Sequence, residues 1–135
     1  VGVWRLVGGY AIAQESSERV ELFGNDPIGY AVFEPGGRMM VIAAASDRIP
    51  GVSTPEMAQL FKSMVAYSGK WSIDSEKFVT EVDLASDPSW IGNAQVRYYA
   101  FDGQTLSLRT APLEHPSFPG MKAIVYADWR KVEKD

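Results

Sequence analysis

The sequence predicts an all-β protein: an antiparallel up-and-down β-barrel of about eight to nine strands with one short α-helix near the barrel mouth. Three observations predict it. Short segments of β-formers recur along the chain, compact turn signals separate them, and a single segment switches to helical periodicity. The 135 residues suit one domain over 1–135. A chain of that size buries enough surface to fold without a disulfide or metal staple.

Val3–Ala13 is rich in β-formers, and Gly8-Gly9 marks a bend or bulge within it. Arg19–Phe23 alternates and ends at the turn cluster Gly24-Asn25-Asp26-Pro27. Ile28–Glu34 runs through Pro35-Gly36-Gly37, a hairpin connection, into Arg38–Ala45. Lys70–Asp74, Lys77–Ala85 and Gln95–Phe101 read as strands. Asp102-Gly103 is a two-residue hairpin signal leading to Thr105–Thr110, and Lys122–Val132 is the last strand. One segment differs. Met57, Leu60, Phe61, Met64 and Val65 form a helical stripe, opened by a capping box at Ser53 and Glu56 and stopped by Gly69. Such a helix plugs a barrel end or packs on the outside of a sheet.

Composition excludes several function classes. Hydrophobic residues at 46% and charged ones at 22% describe a folded chain rather than a disordered one. A net charge of −4 disfavours nucleic acid and anionic membranes as partners, since both reward dense positive charge. The chain has no cysteine, which removes disulfides, thiolate metal sites and cysteine nucleophiles. Its one histidine, His115, lies in a proline-bounded loop. With no G-x-S-x-G elbow, no phosphate-cradling loop and no clustered acids at ligand spacing, no metal and no cofactor is implied. No apolar run reaches the roughly 20 residues of a membrane span. The default compartment is cytoplasmic, although an opening at Val1 leaves a removed leader or tag open.

A barrel of about eight strands holds either its own side chains or one small ligand. Three consecutive alanines, Ala43–Ala45, leave volume unfilled on whichever face points inward. The two strands that flank the loop Ser86–Ala94 carry a set of charged and polar residues that can meet on one face. If its ends pair symmetrically, Asp83 faces Arg97 and Glu81 faces Tyr99, with Gln95 adjoining. Inside the barrel this cluster would orient a ligand carbonyl or carboxylate, or poise a general base. Outside it, the same residues are a solvated face, with Val82, Leu84, Val96 and Tyr98 inward.

Gly2-Val3-Trp4-Arg5-Leu6 resembles the G-x-W signature that opens lipocalin barrels. Gly29-Tyr30, Pro35-Gly36-Gly37-Arg38-Met39 and Tyr67-Ser68-Gly69-Lys70-Trp71 resemble successive blocks of the microbial lipocalin-like domain family. Trp90-Ile91-Gly92-Asn93-Ala94-Gln95-Val96-Arg97 is similar to that family's W-x-G-x-x-Q-x-R block. Asp102–Leu108 and Trp129-Arg130 complete a collinear series over nearly the whole chain. The resemblance implies a calycin-type barrel with a small-molecule cavity, and Trp4 in its closed end beneath an arginine such as Arg130. One departure is visible. Where the family often carries histidines, this chain has Thr80-Glu81.

These readings converge on a barrel that binds a small, largely apolar molecule. Its wall is expected from Tyr30, Met40, Ile42, Met64, Trp71 and Tyr99, with polar anchoring from Gln95 and Arg97. An inward Arg97 should be accompanied by Asp83 or Glu81, because a buried unpaired charge is costly. Met57, Phe61 and Met64 would face the mouth if the helix is a lid. An alternative is a cofactor-free cyclase or isomerase of a small hydrophobic metabolite, with Glu81 or Asp83 as base and Arg97, Tyr99 or Tyr30 stabilising an enolate oxygen. A filled barrel acting through its surface or a homodimer interface is the third reading.

Overall fold

The computed structural model describes residues 1–133. Ten strands and one α-helix run in the order β1 (Gly2–Ala13), β2 (Arg19–Glu21), β3 (Ile28–Phe33), β4 (Arg38–Ala44), α1 (Thr54–Lys62), β5 (Met64–Ile73), β6 (Lys77–Ala85), β7 (Ala94–Phe101), β8 (Thr105–Arg109), β9 (Leu113–Glu114) and β10 (Lys122–Lys131). Eight of them, β1, β3, β4, β5, β6, β7, β8 and β10, pair antiparallel with their neighbours, and β10 returns to pair β1. The sheet therefore closes into an up-and-down barrel, with β2 and β9 as short additions.

Turn chemistry sets the two ends of the barrel apart. Gly37 and Gly103, with φ of 107° and 98°, supply the left-handed backbone that the β3–β4 and β7–β8 turns need. Asp102 Oδ1 accepts from the backbone N–H groups of Gln104 and Thr105 at 2.9 and 2.7 Å, which locks the second turn. These turns and the β5–β6 turn occupy one end, beside Gly2 and Lys131. The four longer connections, including α1 and the 3-10 turn Pro88–Trp90, all occupy the opposite end.

Strand alternation settles which side chains enter the barrel. On β3 and β4, Gly29, Ala31, Phe33, Met39, Val41 and Ala43 are buried. Tyr30, Met40 and Ile42 project outward and are about half exposed, at 44, 51 and 53%. They are not part of the inner wall, contrary to the expectation from sequence. β1 keeps Trp4 and Leu6 inside, and a bulge between Leu6 and Gly8 then restores Ala11 and Ala13 to the interior. The Gly8-Gly9 signal is this bulge.

The helix begins as the capping box dictates: Ser53 Oγ accepts from Glu56 N–H, and Glu56 Oε1 accepts from Ser53 N–H at 3.1 Å. It ends at Lys62, earlier than its apolar stripe suggests, and Gly69 plays no part in stopping it. Met64 and Val65 belong to β5, where Met64 pairs with Ala44. No residue of α1 is buried, and Met57 and Phe61 are each 52% exposed. A mixed stripe misled because one turn of helix passes directly into a strand. Gly69 sits instead at a second bulge, where the β5–β6 register steps between Ser68 and Gly69.

Outside the barrel, Tyr10 stacks on Tyr126 with ring centroids 5.1 Å apart and lies beneath the Arg19 guanidinium. Its hydroxyl donates to Asp128 Oδ2 at 2.9 Å. Burial first, and then this hydrogen bond to a carboxylate, push the Tyr10 pKa up to about 12. The unfolded chain releases that proton near pH 10, whereas the folded chain retains it. Stability should therefore fall as pH rises from 10 to about 12. Chemical denaturation across that range should show a shallower decline in Tyr10→Phe than in the parent; equal slopes would assign the alkaline loss to other groups.

Candidate functional site

The barrel encloses a cavity of about 170 Å³ beneath the long connections. Its volume arises from small residues, with Gly9, Ala31, Ala43 and Ala127 all lining it. Larger apolar groups from the strands, among them Leu6, Met39 and Val41, complete the wall. Leu22 and Phe23 from the β1–β3 connection and Trp90 from the 3-10 turn fold over the open end. Tyr67 packs edge-on against Trp90 at 5.4 Å. No residue of α1 lines this space, and neither does Met64. The helix is a surface element rather than a lid, and Met57, Phe61 and Met64 do not face the cavity.

Register on β6 and β7 decides the polar content. Phe78 pairs with Arg97 and Thr80 with Gln95. Because Phe78, Thr80 and Val82 are the buried face of β6, Gln95 and Arg97 face inward and line the cavity. Symmetric pairing of Asp83 with Arg97 does not occur. The loop is asymmetric: the Val82 carbonyl accepts from Gly92 N–H and Val82 N–H donates to the Asn93 carbonyl. This offsets the register by an odd number of residues, which reverses the face presented to a given partner.

Glu81 and Asp83 consequently lie on the outer surface. Asp83 receives two hydrogen bonds from Arg38, at 2.9 and 2.7 Å, and this contact holds its carboxyl below the usual range. The base that cyclase or isomerase chemistry would draw from Glu81 or Asp83 is thus on the wrong side of the sheet. Arg97 enters without the acidic companion expected for it. Among the described residues no carboxylate lines the cavity, and the guanidinium makes one hydrogen bond, from Nη1 to the Val96 carbonyl at 3.0 Å. Desolvation lowers its pKa, with the Tyr67 phenol acting in the opposite direction. Burial raises the pKa of Tyr67 itself, and Arg97 opposes that rise.

Trp71 and Tyr99 also point inward but lie at the other end. There they line a second, more open space of about 290 Å³ together with Trp4, Phe101 and Lys131. Phe33, Phe78 and Leu108 border both spaces and separate them. The polar tips of the two aromatics are already engaged: Trp71 Nε1 donates to the Glu34 carbonyl at 3.0 Å, and the Tyr99 hydroxyl to the Asp74 carbonyl at 2.7 Å. Trp4 is covered by Lys131, whose Nζ stands 5.9 Å from the ring, and not by Arg130, which is exposed. His115 accepts from Ser117 N–H at 3.2 Å and faces neither space. Among the described residues no group of three acids or histidines could hold a metal ion, and no helix is long and apolar enough to cross a membrane.

Sequence reasoning passed over Tyr67 and Trp129 as cavity residues. Tyr67 had a signal, since it stands two positions before Gly69 and two after Val65 in an alternating strand. Trp129 had none beyond its place in the terminal Trp129-Arg130 block.

A closed antiparallel barrel with an apolar interior cavity and a few inward polar groups defines the class of small-molecule-binding β-barrels. Within that class the chain belongs to the lipocalin-like domain family, whose profile matches residues 1–132. It is also similar to the 4'-hydroxy-3'-methoxypropiophenone carrier protein of Aspergillus oryzae, being 28% identical over 88 residues, which cover 58% of this chain and 77% of that protein.

Proposed function

We infer that this protein is a carrier that holds one small, largely apolar molecule in its upper cavity without chemical change. The partly open, mainly apolar cavity of about 170 Å³ carries this reading. A cavity of about 150 Å³ lined by aliphatic and aromatic side chains accepts benzene, so this one suits a single ring with short substituents. The similarity to a protein named as the carrier of a one-ring aromatic ketone supports the same size class. Gln95 and Arg97 provide the polar anchoring, and the wall is that of the observed cavity rather than Tyr30, Met40 or Ile42.

Native mass spectrometry of freshly purified protein tests the reading, with the denatured protein as reference. The expected result is a discrete excess mass of one-ring size that disappears on denaturation, or, for protein purified empty, saturable one-to-one uptake of a monocyclic aromatic compound. Protein that arrives empty and takes up no member of a monocyclic aromatic panel would refute it.

A further inference from the structure

We propose that the cavity selects an anion: a one-ring molecule bearing a single negatively charged oxygen group, received by Arg97. This rests on the upper cavity being the ligand site and specifies the charge of what enters it.

The argument is a mismatch between donors and acceptors. A guanidinium carries five N–H donors, and among the described residues Arg97 has one acceptor, the Val96 carbonyl. Gln95 and the Tyr67 hydroxyl add donor capacity to the wall. Against these donors no carboxylate among the described residues lines the cavity. The nearby acids are committed elsewhere: Asp83 to Arg38, and Asp128 to Tyr10 and Ser107 on the outer surface.

A neutral apolar guest would leave the part-buried Arg97 without a counterion. An anionic oxygen would supply both its counterion and its acceptor, and charge-assisted hydrogen bonds of this kind are about twice as strong as neutral ones. A carboxylate and a phenolate share this chemistry. The space limits the remainder of the molecule to about one ring.

The test compares benzoate, its neutral relative benzyl alcohol, and a nitrophenol above and below its ionisation, by calorimetry and by quenching of tryptophan fluorescence. Benzoate or nitrophenolate should bind at least about 10-fold more tightly than its neutral counterpart. Arg97→Met should weaken the anion by about 10- to 100-fold while leaving benzyl alcohol within about 3-fold, and Arg97→Lys should recover part of the loss. Circular dichroism establishes that each variant is folded, and Arg97→Gln replaces the methionine variant if that one is not. The anion that shows the preference distinguishes carboxylate from phenolate. Benzyl alcohol bound as tightly as both anions would overturn the proposal and leave cavity binding standing. Binding of none of the compounds would overturn both.

Discussion

Replacing Gly69 with alanine is expected to cost roughly 3 kcal/mol or more, lowering the thermal midpoint on the order of 10 °C. Gly69 lies at the β5–β6 bulge, where the strands approach more closely than a regular ladder allows. A Cβ built there would overlap the Glu81 carbonyl oxygen, lie 2.7 Å from the carbonyl carbon and lie 2.9 Å from Val82 Cα. All three are backbone atoms, so no rotamer change relieves the contact. The strands must separate or the bulge must be lost. Losing the bulge would shift Val82, Thr80 and Phe78 from the interior to the surface, because the side-chain period of a strand is two. A midpoint unchanged in differential scanning calorimetry would mean that the barrel widens freely at this point.

Ala43→Ile is expected to remove ligand uptake by more than about 10-fold while the barrel still folds. Ala43 is 3% exposed and lines the upper cavity, so the three added carbons enter a space of only about 170 Å³. Filling existing void strains the structure less than adding carbons to a packed core, where the usual cost is about 1–3 kcal/mol. The β-branched side chain also suits a central strand. The measurement is the excess mass in native spectra, or uptake of a monocyclic aromatic compound, alongside a melting curve. Undiminished uptake by a folded variant would move the binding site out of this cavity.

Much of the framework was legible because local chemistry dictated it. Pro35-Gly36-Gly37 and Asp102-Gly103 can hardly be anything but turns, and Lys77–Ala85 alternates clearly enough that its bounds are read from sequence alone. The Ser53 and Glu56 pair fixed the helix start in the same way. The polar cluster was not legible. Whether Asp83 or Phe78 stands opposite Arg97 depends on how the Ser86–Asn93 loop uses its residues, and the Val82 bonds to Gly92 and Asn93 have no signature in residue type. Tyr30, Met40 and Ile42 misled for a related reason. On β3 and β4 the outward residues are as apolar as the inward ones, so alternation of polarity could not mark the face. Large side chains suggested a ligand wall, whereas in a hollow barrel it is small inward residues that create the space. The placement of Trp71 and Tyr99 required a different fact, the division of the interior by Phe33, Phe78 and Leu108.

The β1–β10 seam joins strands from almost opposite ends of the chain, with Trp4 opposite Lys131 and Ala13 opposite Ala123. Hairpins such as β3–β4 and β7–β8 form from local contacts, but the seam must close the longest loop in the molecule, and non-local pairing of this kind is slow. Until it closes there is no cavity, because Leu6 and Gly9 lie on one side of the seam and Ala127 and Trp129 on the other. A ligand can therefore do nothing to guide the early collapse of the chain. Its influence falls on the closed barrel, since opening the seam exposes the guest to water and a bound molecule therefore favours the closed state.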